Sequence, residues 1–210
     1  AYNFFCLYAN ADGIEAKYST DSQDVMDRYI LAKCKAAVET IQASLDAYDT
    51  PAACDAVMQF FEVLNNWYIR RNKERFWAEE KSADKQAAYD TLYTVLTVMC
   101  RAAAPLLPLT LDEIYTKLTG EASVHTADFP ALVIPSEAEG SKDSSAALRS
   151  GRNDNELMTQ MDWVRDVCNA GLAVRAKANI RVRQPLGNMR IVGAGSLFDT
   201  AGNNMPVRLV

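Results

Sequence analysis

Apolar residues recur every three or four positions along most of the chain, which is the period of an amphipathic helix. This pattern predicts one helix over 22–48 and a second that opens at Thr50–Pro51, where proline suits the first helical turn, and continues towards Trp77. The inward-facing positions of the two helices are predicted to be Ile30, Cys34, Val38, Ile41, Leu45, Tyr48, Ala53, Val57, Phe60, Phe61, Leu64 and Trp67.

Two further helices follow, each with its own start and stop signals. Ser82 is the predicted cap of a third helix, which Pro105 ends because proline lacks the amide hydrogen that a helix interior needs. Thr110 and Glu113 have the spacing of a capping box at the start of a short fourth helix. Gly120 is placed to close that helix in the left-handed conformation.

The last third of the chain changes in composition. Residues 136–153 are rich in Ser, Glu, Gly, Lys and Asp and almost devoid of bulky apolar side chains, which predicts a mobile linker. A fifth, long helix is expected over 154–178, and the residues at 180–184 and 189–192 alternate as in a strand. The sequence therefore predicts a mainly α protein, an antiparallel helix bundle, with a short β element near the C-terminus.

The charge is unevenly distributed. The net charge of −5 argues against indiscriminate binding to nucleic acid, but no acidic residue lies between Asp166 and Asp199. Two local clusters are basic, one formed by Arg70, Arg71, Lys73 and Arg75 and the other by Arg175, Lys177, Arg181, Arg183 and Arg190. An acidic protein with such local faces can bind a polyanion that meets the basic patch.

Signals of catalysis are absent from the sequence. It contains no P-loop, no G-x-G-x-x-G and no G-x-S-x-G motif, so the chain itself is predicted to be non-catalytic. The five cysteines form no C-x-x-C pair, and the single His125 has none nearby, so no metal site and no cofactor are expected. No apolar stretch is long enough for a membrane span, and no signal peptide opens the chain, which predicts a cytoplasmic protein.

The most unusual stretch is 65–77, where basic and aromatic residues one helical turn apart share neighbouring faces. Its arginines either bind phosphate groups or pair with acids of a neighbouring helix, and both interpretations stay open. The spacing of Trp67, Phe76 and Trp77 favours an inner position for all three aromatic rings.

This stretch also carries a family resemblance. Residues 64–77 (LNNWYIRRNKERFW) resemble the anticodon-domain helix of isoleucyl-tRNA synthetases. Further similar pieces follow in the family's order: YNFFCLYANADG at 2–13, MDRYILAK at 26–33 with Tyr29 in place of tryptophan, 106–115, SVHTADFP at 123–130 and IRVRQPL at 180–186. Together they cover most of the chain outside the linker.

The resemblance implies a bundle of the class I synthetase anticodon-binding type that positions tRNA(Ile) for aminoacylation. The ATP and Mg²⁺ used in that reaction would serve a catalytic domain of the same polypeptide, absent from this chain, and the protein would be a monomer. The implied division is 1–21 as the segment following the catalytic domain, 22–135 as the bundle, 136–153 as the linker, and 154–210 as the long helix and the start of a small C-terminal α/β module. Ala1 in place of a start methionine is consistent with a segment of a longer chain.

The residues expected to contact tRNA form a single predicted surface from both basic clusters. They are Arg70, Arg71, Lys73, Arg75, Lys177, Arg181 and Arg183. Two alternatives remain: the anticodon domain of the valine-specific sibling, and a helical protein-interaction scaffold without RNA binding. Salt dependence separates the scaffold from both synthetase interpretations, because RNA binding weakens steeply as salt rises.

Overall fold

The computed structural model of the protein describes residues 1–132, 144–185 and 187. These residues fall into two compact units, Ala1–Asn155 and Glu156–Val210. The helices are α1 (Tyr2–Asp12), α2 (Val25–Asp46), α3 (Thr50–Val63), α4 (Lys73–Trp77), α5 (Ala83–Ala103), α6 (Pro108–Thr119) and α7 (Ser144–Lys177), with a π-helical turn at Leu64–Ile69 and a 3₁₀ turn at Val124–Thr126. The predicted mainly α class is confirmed.

The predicted β element has a different outcome in its two parts. Residues 180–184, which alternate in sequence, form turns, and no strand occurs anywhere in the described ranges. The strand expected at 189–192 lies outside the described residues. One part of the predicted linker, 136–143, also lies outside them, whereas the rest, 144–153, is the start of α7, ten residues before the expected helix start.

Helix ends agree with the capping signals at several points. Ser82 accepts a hydrogen bond from the amide of Lys85 at the start of α5. Gly120 closes α6 at φ 75°. The capping box predicted for α6 is wrong, because the helix begins earlier, at Pro108, whose fixed backbone torsion already suits the first turn.

The second predicted helix does not run unbroken to Trp77. Its regular part, α3, ends at Val63, and the π-helical turn that follows places Trp67, Tyr68 and Ile69 all in the interior. A break at Asn72 then separates this turn from α4. Apolar spacing misses such an inserted turn, because the periodicity continues on either side of it.

The core of the first unit lies where α2 packs against α3 and α5. The largest completely buried side chains there include Tyr29, Tyr68, Tyr89 and Phe76. Cys34 and Cys100 are buried as free thiols, and burial raises the pKa of the Cys100 thiol to about 12. Both act as small apolar residues.

Helix α1 is part of this bundle, although the sequence division placed residues 1–21 apart from it. The Phe5 ring packs against Tyr89, at 6.2 Å between centroids. The buried ammonium of Lys85 lies 2.7 Å from the Asp12 carboxylate, which also accepts a hydrogen bond from the Tyr89 hydroxyl at 2.7 Å. Lys85 donates as well to the carbonyl of Ala78, so α1, α5 and the end of α4 meet at one buried cation.

Neither a membrane-spanning helix nor a metal site is found in the part of the chain that the structure describes. No helix there combines the length and the apolarity that a membrane span requires. No group of three His, Cys, Asp or Glu side chains within those ranges could hold a metal ion.

Candidate nucleic-acid interface

The segment from the π-helical turn to α4 has an inner and an outer side. Trp67 and Phe76 are buried, as the sequence predicted. Trp77, predicted to lie inside as well, is 53% exposed, because the break at Asn72 rotates α4 away from the register of α3. The exposed side chains of the segment that bear a cation or an aromatic ring are Arg70, Arg71, Lys73 and Trp77, and we refer to these four as the outer face.

Two cations of the outer face lie over indole rings. The guanidinium carbon of Arg71 is 4.4 Å from the centre of the Trp67 ring, and the Lys73 ammonium is 5.2 Å from the centre of the Trp77 ring. The negative face of each ring attracts the cation and restricts its rotamers. Arg70 is exposed as well and has no ion-pair partner within the described ranges. The outer face thus presents partly ordered positive charge beside an accessible aromatic ring.

Arg75 has a different environment, although it is only two residues from Lys73. Its Nε and Nη2 donate to the two oxygens of Asp84, at 2.9 and 2.7 Å. Its two terminal nitrogens donate hydrogen bonds to the two oxygens of Asp27, at 2.9 and 3.0 Å, and Nη1 also donates to Asp24 at 3.2 Å. Burial on its own lowers the pKa of Arg75, but the hydrogen bonds with Asp27 and Asp84 outweigh it and raise the pKa.

Asp27 is the centre of this arrangement. Its carboxylate is completely buried, and each oxygen accepts one bond from Arg75 and one from a hydroxyl group, that of Tyr68 or that of Ser22, both at 2.6 Å. Burial, followed by the negative charge of Asp27, raises the pKa of Tyr68 well above its usual range. We refer to Asp24, Asp27, Tyr68, Arg75 and Asp84 as the inner network.

The inner network gives Arg75 a structural role in place of the predicted phosphate contact. All three of its nitrogens are engaged, so no part of the fork remains for an RNA phosphate. Asp24 caps α2, and Asp84 lies in the first turn of α5, so one guanidinium joins two helix starts to α4. The sequence carried a signal for this, because acids concentrate at helix starts, where the helix dipole favours them.

The second basic cluster lies in the unit Glu156–Val210. Helix α7 ends at Lys177, and Asn179 adopts the left-handed conformation at φ 53°. Lys177, Arg181 and Arg183 are exposed, whereas Arg175 is half-buried. One terminal nitrogen of Arg175, Nη2, donates to the carbonyl oxygens of residues 181, 182 and 184, the first two at 2.6 and 2.9 Å. Arg190 lies outside the described residues.

The sequence predicted one surface from both clusters. The structure places Arg70, Arg71 and Lys73 in the first unit and Lys177, Arg181 and Arg183 in the second. Each cluster is therefore a candidate contact in its own right.

Comparison with known proteins connects this geometry to a family. Residues 27–190 match the model of the anticodon-binding domain of tRNA ligase. The isoleucine–tRNA ligase of Wolbachia pipientis wMel is 46% identical over 99% of the chain, which corresponds to 17% of that protein. Its counterpart from Wolbachia sp. subsp. Brugia malayi is 47% identical over 91% of the chain, and that from Rickettsia canadensis is 43% identical over 91%. The chain spans only 15% and 20% of those two relatives.

Proposed function

The chain belongs to the anticodon-binding domain family of tRNA ligases, and on that basis we propose that it binds the anticodon side of tRNA(Ile) within an isoleucine–tRNA ligase. The names of its relatives support the choice of isoleucine over valine. In the whole enzyme the domain would orient the tRNA for ATP-dependent aminoacylation by a catalytic domain of the same polypeptide. It would do so as a cytoplasmic monomer, and this chain would itself bind no cofactor.

The observation that carries this proposal is the outer face. Arg70, Arg71 and Lys73 expose positive charge on a protein whose net charge is −5. Guanidinium and ammonium groups supply the donors that position an RNA backbone, and each phosphate contact releases counterions. Trp77 adds an exposed ring on which an unpaired base of a loop could stack. Cations beside an accessible ring provide both kinds of contact that a single-stranded RNA loop offers, to phosphate and to base.

A second contact is proposed at the end of α7. Lys177, Arg181 and Arg183 are exposed in a stretch that has no acidic residue between Asp166 and Asp199. The two arginines are better phosphate ligands than the lysine, since a planar fork matches two phosphate oxygens.

The test measures binding of the full chain to transcribed tRNA(Ile) over a range of salt concentrations. Arg70→Gln and Lys73→Gln should each weaken binding and flatten the plot of log affinity against log salt by about one unit. Lys35→Gln, at an exposed lysine of α2, makes the same charge change outside the outer face and is the matched control. Unchanged affinity and slope in both outer-face variants would overturn the proposal.

Two further comparisons separate the alternatives. Binding to tRNA(Val) as tight as to tRNA(Ile) would favour the valine-specific sibling. If Lys35→Gln weakens binding as much as Arg70→Gln does, the attraction is a general effect of net charge rather than a contact of the outer face. A helical scaffold without an RNA role would show no salt-dependent tRNA binding in any of these proteins.

A further inference from the structure

The turn that follows α7 is shaped by two kinds of hydrogen bond. The helix closes through a paired backbone motif, in which the amides of Asn179 and Ile180 donate to the carbonyls of Ala176 and Arg175, at 3.1 and 2.9 Å. This motif fixes the chain as far as Ile180. Beyond Ile180, the Arg175 side chain holds the backbone, because Nη2 donates hydrogen bonds to the carbonyls of residues 181, 182 and 184.

Within the described ranges, little else holds residues 181–184 in place. All four are exposed, and the one apolar side chain among them, Val182, is 55% exposed. The amide of Gln184 donates to the carbonyl of Arg181 at 3.0 Å, which closes a single turn. A short exposed turn without an apolar anchor samples many conformations unless another group restrains it. Arg175 supplies that restraint from inside the helix.

The cations of this region therefore divide into two roles. The Nη2 group of Arg175 points at backbone carbonyls, and its Nε is buried away from solvent. Arg181 and Arg183, on the turn that Arg175 grips, are exposed. A charged donor that satisfies several carbonyls is a strong local restraint.

We propose that Arg175 is a positioning residue for RNA binding. It contacts no RNA itself, but holds residues 181–184 in the conformation that presents Arg181 and Arg183 to neighbouring phosphates of the tRNA backbone. This inference rests on the proposed function, and specifically on the contact at the end of α7. Ordering the turn before RNA arrives lowers the cost of immobilising two long side chains in the complex.

The experiment is a double-mutant cycle in the full chain, with transcribed tRNA(Ile) as the ligand. Arg175→Gln should raise Kd about tenfold, because the turn must then be ordered during binding, and should leave the salt slope unchanged. In the Arg181→Gln, Arg183→Gln background, the same substitution should have almost no effect on Kd, since the groups it positions are gone. That loss of effect distinguishes positioning from general destabilisation.

A second readout follows the turn directly. Amide hydrogen exchange over residues 181–184 should accelerate in Arg175→Gln and remain unchanged in Lys177→Gln, an equal charge change at an exposed residue of the same helical turn. Arg175→Lys keeps the charge but lacks the guanidinium group, and it should shift exchange and Kd in the same direction. It also serves as the second variant if the glutamine substitution shortens α7.

Four outcomes would overturn the inference. A salt slope lowered by about one unit in Arg175→Gln, with unchanged exchange, would make Arg175 itself a phosphate contact. An effect on Kd that persists in the double-variant background would make its role merely structural, and faster exchange without a change in Kd would separate the turn from RNA binding. If Arg181→Gln, Arg183→Gln leaves Kd and slope unchanged, the proposed contact at the end of α7 fails and this inference with it, whereas the outer-face test on Arg70 and Lys73 stands independently.

Discussion

Arg70 of the outer face and Arg75 of the inner network lie on the same short stretch of chain but in opposite environments. Arg70 is exposed, without an acidic partner within the described ranges. Arg75, little more than one helical turn further along the chain, has a side chain that is 15% exposed and forms ion pairs with three aspartates. Positive charge in a sequence therefore identifies neither RNA contacts nor structural ion pairs. What separates them is whether other helices bring carboxylates to the same place.

The two regions also differ in what a substitution should change. The centre of the inner network, Asp27, is completely buried, so its removal leaves a charged partner unsatisfied. The outer face is solvated, so its members should contribute little to the free energy of unfolding and much to RNA affinity. Denaturation and tRNA titration of variants in both regions test that division.

The largest effect is expected at Asp27, the centre of the inner network. Asp27→Ala should lower the free energy of unfolding by about 3–5 kcal/mol, because Arg75 and Tyr68 lose their buried partner. Urea denaturation followed by circular dichroism measures this loss. Asp84→Ala removes a carboxylate from the same arginine, but one that is 60% exposed, and should cost about 0–1 kcal/mol. Equal losses in the two variants would contradict the division between buried and exposed partners.

Two adjacent aromatic residues provide a second contrast. Phe76 is completely buried between the rings of Phe4 and Tyr89, and Phe76→Ala should cost about 3–5 kcal/mol of unfolding free energy. Trp77→Ala should cost much less stability, since its ring is 53% exposed, but should weaken tRNA binding by about 1–3 kcal/mol if a base stacks there. Denaturation and tRNA titration of both variants check the pair. A Trp77 variant that loses stability but retains full RNA affinity would assign Trp77 to the core.

Phe76 and Trp77 also show how much of the fold could be predicted from the sequence. Apolar spacing was sufficient to predict the long helices and the inner positions of Trp67 and Phe76, and capping chemistry was sufficient for Ser82 and Gly120. It failed at Trp77, because the π-helical turn and the break at Asn72 shift the register without leaving an apolar signature.

The candidate site was predictable as a region but not residue by residue. The cluster of basic residues at 70–75 identifies an unusual segment from the sequence alone. The engagement of Arg75 depends on Asp27, 48 positions away, and on Asp84, nine positions away, so it becomes visible only once α2 and α5 are packed. Pairing over such a distance is a property of tertiary structure, for which one sequence gives no spacing rule.

A single hydroxyl group tests whether the inner network acts as a unit. Tyr68→Phe removes the donor to one Asp27 oxygen and leaves the bulk of the ring, so it should cost about 1.5–3 kcal/mol, the usual range for a hydrogen bond to a charged group. Tyr48 was predicted to face inward, but its side chain is 94% exposed. Tyr48→Phe is therefore the matched control and should change stability by no more than about 0.5 kcal/mol. Urea denaturation of both variants is the measurement. If Tyr68→Phe behaves like Tyr48→Phe, Arg75 and Ser22 are sufficient to satisfy Asp27.

The contact between α1 and α5 resembles the inner network, because an aspartate (Asp12) is paired with a cation (Lys85) and a tyrosine (Tyr89). The contribution of this contact to stability should depend on pH in the acid range. Hydrogen bonding from Lys85, opposed by burial and assisted by Tyr89, lowers the pKa of Asp12. Below about pH 3.9, the ordinary aspartate value, the unfolded chain takes up this proton before the folded chain does. The contribution of Asp12 to stability is therefore complete at neutral pH and is lost as pH falls through its lowered pKa.

Asp12→Asn should destabilise the protein at neutral pH and flatten the decline in unfolding free energy at pH values below the ordinary aspartate pKa. Asp55→Asn, at an exposed residue of α3, makes the same charge change and is the control for net charge. Parallel acid declines in the parent protein and in Asp12→Asn would show that Asp12 makes no pH-dependent contribution to this contact.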